Sequence, residues 1–225
     1  VPRPKGADEA RLVRFLFKVG SREVYNYSTR RAKSRKGLFA YQNLFRYGCI
    51  HITMTPTKEY VIYVDEQDRQ IGTGEKLEAH QKGVLHRAIS VFIFNANGEL
   101  MLQKRAKTKY HSAGLWANTC CSHPRPGEDT AAAAKRRLME EMGLAADLRH
   151  AGHLLYKVEF QNGLIEHEYD HMFIGESDAV PVLNPDEAED WKWMSPEDVN
   201  EDIAIYPEKY SYWFKLALED ILSKK

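Results

Sequence analysis

Two turn signals set between β-rich runs constrain this chain more than any other feature. Residues 89–94 (ISVFIF) and 100–103 (LMLQ) are separated by Asn95-Ala96-Asn97-Gly98. Residues 154–160 and 165–174 are separated by Asn162-Gly163. Each arrangement reads as a β-hairpin, with glycine where the turn most needs a positive φ. Residues 59–65 (EYVIYVD) are β-branched and aromatic, so they read as a strand, followed by a polar turn over 66–69. Residues 191–194 read as another strand. Helical signals are fewer. Asp129 caps TAAAAKRRLMEEM and Gly143 closes it. Ser195-Pro196-Glu197-Asp198 starts a second helix, with a cap residue, Pro at N1 and an acid at N3. Residues 206–222 read as one amphipathic helix. Residues 104–127, with Gly114, Pro124, Pro126 and Gly127, read as loop. Strands outnumber helices and come as hairpins, which implies an α+β domain rather than a doubly wound one.

Charge divides the 225 residues unevenly. The whole chain has 32 Lys+Arg and 32 Asp+Glu, a net of zero. Residues 1–53 hold four Lys and eight Arg against Asp8, Glu9 and Glu23, a net of +9, so residues 54–225 carry −9. The first segment is basic, Ser-containing and poor in acids, as an organelle transit peptide is. A surface arm or a segment added by cloning would look similar. The expectation is a basic extension over 1–53, outside the core, and a catalytic domain over 54–225. The balanced total argues against a chain built wholly for nucleic acid. No apolar run reaches the ~18 residues of a spanning helix. Three cysteines, Cys49, Cys120 and Cys121, make no disulfide framework. The expected location is therefore the cytoplasm, or an organelle if residues 1–53 are a transit peptide.

The helix at 130–142 carries the first chemical signal. Ser122, Glu128, Arg136, Glu140, Glu141, Gly143 and Leu144 fall at spacings that resemble the Nudix box, a loop–helix–loop whose carboxylates hold Mg²⁺ against a diphosphate. A polyanionic diphosphate needs a hard divalent cation with oxygen ligands. Ser122 stands where the box has its first Gly, and Arg137 where it has a Glu. Arg136 with Glu140 and Arg137 with Glu141 are also i,i+4 pairs that can simply decorate a solvent-facing helix. Elsewhere, His80, His86 and His123 lie among polar or loop-like residues. Cys121 precedes His123 by two, so in an extended backbone both point the same way. Glu166, Glu168 and Asp170 alternate along a predicted strand and share a face, where a metal ion is one neutraliser of three like charges. An exposed acidic face is the plainer alternative.

Over residues ~60–222 the chain resembles type 1 isopentenyl-diphosphate isomerases. The matching segments are EKLEAH (75–80) with His86 six residues on, RAKTK (105–109), WANTCCSHP (116–124), KRRLMEEMG (135–143), LIEHE (164–168) and YSYWF (210–214). The resemblance implies a Nudix-like mixed sheet with flanking helices. It implies one divalent metal, Zn, Mn, Fe or Mg, on His80, His86, His123, Glu166 and Glu168. It makes Cys121 one acid/base residue, with Glu168 aided by Tyr156 on the opposite side. Glu141 would help hold a second cation, Mg²⁺, at the diphosphate. Lys76, Arg105, Lys109 and Arg137 would contact the diphosphate, and Trp213 would close over the hydrocarbon. The implied partner is a small diphosphate substrate, with no nucleic acid, and the implied assembly a monomer or small homo-oligomer. Cys120 diverges from Cys121 and is expected in the core. The competing readings are a Nudix hydrolase of a nucleoside diphosphate derivative and a catalytically silent metal- or RNA-binding module.

Overall fold

A computed structural model describes residues 58–225 and the backbone of two earlier strands. The chain divides into two units, Val1–Thr53 and Met54–Lys225. In the first, β1 (Val13–Val19) and β2 (Arg22–Ser28) form an antiparallel ribbon. The rest of the expected extension, Cys49 included, lies outside the described residues.

The second unit runs β3 (Tyr60–Val64), β4 (Gln70–Glu75), α1 (Lys76–Lys82), β5 (His86–Phe94), β6 (Leu100–Arg105), β7 (Trp116–Ala117), β8 (Cys120–Ser122), α2 (Thr130–Met142), β9 (Leu148–Glu159), β10 (Ile165–Glu176), β11 (Ala188–Met194), α3 (Pro196–Ile205) and α4 (Tyr212–Leu222). Its strands make one mixed sheet with a spine of β11-β6-β5-β10-β9. β9 and β10 pair antiparallel around the expected Asn162-Gly163 turn, whereas β10 lies parallel to β5.

The continuous apolar run of β5 is explained by its central place, covered on both faces. Phe92 and Phe94 pack with Met172, Ile174 and the Trp213, Phe214, Leu218 and Ile221 face of α4. Ile89, Val91 and Ile93 alternate with them and pack with Phe173 and the Ala134, Leu138 and Met142 face of α2. Each large side chain buried this way contributes ~1.5–3 kcal/mol relative to exposure. Cys120 is fully buried against α2, as expected.

Three expectations need correction. The 89–103 hairpin pairs only at Phe94 and Leu100. Beyond that point the segment expected to be loop wedges between its arms, with β8 on β5 and β7 on β6. Thr119 stitches the wedge, donating to Met101 O at 2.7 Å and accepting from Ile93 N at 2.9 Å. Strands of two and three residues are too short for an alternating pattern to register. The expected helix over 206–222 is interrupted. A 3₁₀ turn at Pro207–Lys209 comes first, then Tyr210 is extended and bridges to Trp116. Tyr210 is held there by its hydroxyl, 2.6 Å from Asp202 Oδ2, and Ser211 N donates to Trp116 O at 2.9 Å. Finally, His80 lies on a helix and His86 on a strand rather than in loops.

The cap of α2 follows the sequence. Asp129 accepts from the amides of Ala131 and Ala132. Gly143 ends the helix at φ 62°, with Val182 O only 2.8 Å from where a Cβ would stand. Gly143→Ala is therefore expected to cost ~1–3 kcal/mol through backbone strain and this clash. A lower urea midpoint at unchanged slope would show it, and an unchanged midpoint would contradict it.

Candidate active site

The three histidines reach one point by different routes. Glu75 caps α1 by accepting from the Leu77 and Glu78 amides, which places His80 one turn inside the helix. His80 Nδ1 is 2.7 Å from Lys76 O, and His86 Nδ1 is 2.7 Å from Val84 O. A carbonyl can only accept, so both Nδ1 atoms carry the proton and both Nε2 atoms present a lone pair. His80, His86 and His123 place Nε2 at 3.8, 3.5 and 3.1 Å from Glu168 Oε1. His86 Nε2 and His123 Nε2 are 3.2 Å apart.

This donor set fits a divalent metal. The ligand atoms of His80, His86, His123 and Glu168 all lie within 4.8 Å of one another. His80 is fully buried, and its Nε2 has no hydrogen-bond partner. Leaving such a nitrogen unsatisfied costs ~1–3 kcal/mol, and a metal at the convergence removes that cost. Burial pushes His123 down to about 3, against the pull of Glu168, and lowers His80 as well. Both are then neutral imidazoles, the ligating form.

Glu166 belongs to a second, overlapping group with His80 and His111. Tyr156 joins the two carboxylates: its hydroxyl is 2.7 Å from Glu168 Oε2 and 3.1 Å from Glu166 Oε2. Tyr156 and Glu168 are cross-strand partners, which fixes this contact by register. Burial and the neighbouring Glu168 push the Glu166 carboxyl well above the ordinary range. Burial opposes ionisation of Glu168 too, yet the His123 and His86 rings beside it hold it well below. Glu141 sits apart from the histidines. Arg137 donates to its Oε1 at 2.8 Å and Gln103 to its Oε2 at 3.0 Å.

Cys121 and Glu168 share one face of the sheet, on opposite edges of β5. Cys121 lies across from Ser90 and Glu168 across from His86, and residues 86 and 90 of a strand point the same way. Both line one cleft with Trp213, His123, Arg105 and Lys109. Burial pushes the Cys121 thiol up to about 12, although Arg105 pulls the other way. The thiol keeps its proton, with Arg105 Nη1 donating to its sulfur at 3.3 Å. Trp213 donates from Nε1 to Asn118 Oδ1 at 3.0 Å, and Asn118 donates in turn to Val91 O and Cys120 O. The Arg105 guanidinium lies 5.1 Å from the Trp213 ring.

Lys76, Arg105, Lys109 and Arg137 all line this cleft. Three of them are held by acids: Lys76 by Glu59 at 2.8 Å, Lys109 by Glu187, and Arg137 by Glu140, Glu141 and Glu187. The i,i+4 pairs of α2 are thus half-buried parts of a network rather than solvent decoration. Sequence reasoning missed Glu59, Glu187, Tyr110, His111 and the buried Ser90–Asp170 hydrogen bond at 2.7 Å. The only available hint was Tyr110-His111 following the RAKTK run, in a stretch with no periodicity.

A Nudix domain model matches residues 84–214. An isopentenyl-diphosphate Delta-isomerase 2 of Aromatoleum aromaticum is 53% identical over 166 residues, spanning 74% of this chain and 88% of that protein. The isopentenyl-diphosphate Delta-isomerase of Pectobacterium atrosepticum is 50% identical over 161 residues, spanning 72% and 90%. The chain belongs to the Nudix-type isopentenyl-diphosphate Delta-isomerases. The fold is shared more widely. The DR0079 protein of Deinococcus radiodurans superposes with a TM-score of 0.54 at 22% identity, over 65% of this chain and 90% of that one. As in the sequence-based expectation, the fold is a mixed sheet flanked by helices. No described helix is long and apolar enough to cross a membrane.

The buried imidazoles make the stability of metal-stripped protein depend on pH. Folded His123 stays neutral down to about 3, whereas in the unfolded chain it protonates near ~6.5. Between those values the unfolded chain binds more protons, so the contribution of His123 to stability is lost as the pH falls below ~6.5. Burial raises Glu166 and Asp170, which act in the opposite sense. Comparison with His123→Asn isolates the histidine. The variant is expected to lose less stability between pH 6.5 and 4 than the parent, and equal slopes would refute the neutral assignment.

Proposed function

We propose that this chain interconverts isopentenyl diphosphate and dimethylallyl diphosphate by adding a proton at one carbon and removing one at another, through a tertiary carbocation. The observation that carries the reading is the placement of Cys121 and Glu168 on the two strands flanking β5, facing the same cleft. An isolated C=C bond is inert, so its transposition needs a donor and an acceptor on either side of the carbon chain. Cys121 is one and Glu168 with Tyr156 the other, and reversing the reaction interchanges their roles. The pair works without net consumption of protons, because each turnover takes one up and gives one back.

Division of labour between the Glu168 oxygens supports this. Oε1 faces three imidazoles and Oε2 faces the Tyr156 hydroxyl. Proton handling is thereby assigned to the Oε2–Tyr156 side. His80, His86, His123 and Glu168 would hold a divalent metal, with Zn or Mn suited to the imidazoles, and Glu166 beside them. When bound, it supplies a fixed positive charge that keeps Glu168 ionised and oriented.

The cationic intermediate needs a neighbour that stabilises it without forming a bond. Trp213 is 3% exposed and lines the cleft, so its π-face is available without admitting water. The diphosphate would take the cations now engaged by Glu59 and Glu187. Arg137 would turn to the phosphate oxygens and release Glu141 for the accompanying Mg²⁺. Arg105 offers a planar fork for a bidentate contact, and Lys76 and Lys109 act as point charges. The cytoplasm is the setting that suits a free catalytic thiol.

Incubation with isopentenyl diphosphate should give dimethylallyl diphosphate and no free phosphate. Release of phosphate would favour a hydrolase instead. Cys121→Ala is expected to lower turnover at least ~10²-fold, the range of a positioned acid or base, with metal content unchanged. Glu168→Gln should impair both metal retention and turnover. Full activity in the first variant, or unaltered metal and turnover in the second, would sink the assignment.

A further inference from the structure

His111 lines the cleft, and the scheme above leaves it unused. It comes from the loop between β6 and β7, where Ser112 takes a positive φ of 49°. Asn162 donates to Tyr110 O at 3.0 Å, tying this loop to the β9–β10 turn, and Arg105 Nη2 donates to His111 O at 3.3 Å. The imidazole stacks between His80 and Phe160, with ring centroids 5.7 and 5.3 Å away, and meets the Trp213 ring edge-on at 6.2 Å. Its Nδ1 lies 3.2 Å from Glu166 Oε1 and 3.5 Å from Ser112 Oγ.

We propose that His111 is a positioning residue for Glu166, holding that carboxylate beside His80 for the metal. Glu166 is 2% exposed, and its side chain is otherwise braced from one direction, by Tyr156 at Oε2. One contact leaves a carboxylate free to swivel about its own axis. The His111 ring edge, from a different element, stands 3.2 Å from Oε1 and limits that swivel. Metal ligands oriented by such outer partners bind more tightly than loose ones. The same loop carries the carbonyl that holds Arg105, so His111 links the carboxylate wall of the cleft to its cationic wall. This inference rests on Glu166 being a metal ligand.

Two substitutions separate positioning from packing. His111→Asn keeps a nitrogen donor at the place of Nδ1 but loses the ring. His111→Phe keeps the ring stack but has no donor. Metal affinity is measured by competition with a chromophoric chelator, alongside kcat, KM and thermal unfolding by circular dichroism. His111→Phe is expected to weaken metal binding ~10–100-fold and to lower kcat, with KM close to the parent's. His111→Asn should recover most of both. The reverse ranking, Phe like the parent and Asn impaired, would make His111 a packing residue and overturn the proposal. Glu166→Gln serves as the control. If it loses metal while His111→Phe does not, the positioning role alone fails. If it retains metal, the ligand reading fails and takes this inference with it.

Discussion

A single carboxylate oxygen organises this molecule. Glu168 Oε1 is approached by three imidazole nitrogens from three separate elements, α1, β5 and the turn after β8. None of those elements is adjacent to β10 in sequence. Each imidazole is aimed by something local: a helix carbonyl for His80, the Val84 carbonyl for His86, the short β8 strand for His123. A buried charge survives only where such partners surround it. The other oxygen is held by Tyr156 through strand register. The sheet therefore does more than support the site. Its pairing decides which atoms of one side chain meet nitrogen and which meet a hydroxyl.

Electrostatic compensation in the cleft follows the same logic on a larger scale. The imidazole wall gathers its nitrogens around one carboxylate oxygen, whereas the rim holds Lys76, Lys109 and Arg137 against Glu59, Glu187, Glu140 and Glu141. Unpaired cations crowded on such a rim would repel one another and weaken the fold. Paired with acids, they remain in place and can exchange partners when a more highly charged anion arrives. Exchange of one ion pair for another changes the field far less than creating a new one.

Much of this arrangement was legible in sequence, and the limits are physical. The Asn162-Gly163 turn, the Asp129 and Gly143 caps and the alternation of Glu166, Glu168 and Asp170 are local signals, and each corresponds to the structure. The resemblance supplied what local signals do not, namely that His80, His86 and His123 converge. The wedge of β7 and β8 between β5 and β6 could not be read, because two-residue strands have no period. The break at Tyr210 was equally silent, because it depends on Asp202 and Trp116, eight and ninety-four residues away. His111 and Glu187 are functional in position only. No motif marks Glu187, and His111 is marked only by following the RAKTK run, since their partners belong to other elements.

The helix that first suggested the family now has a different role from the one its motif implies. In a Nudix box the helix carboxylates hold the metal. Here Glu128 and Glu140 are engaged by Arg136, while Arg137 binds Glu140, Glu141 and Glu187. An arginine in place of the box glutamate changes the local balance from a cation-seeking cluster to a set of closed ion pairs. The convergent, unsatisfied nitrogen lies elsewhere, at His80 on α1. Binding of an ion to the imidazole set leaves the Arg136 and Arg137 pairs intact, whereas binding at the helix must first break them. The arginine at 137 thus leaves the convergent, unpartnered donor at the imidazole set and not on the helix.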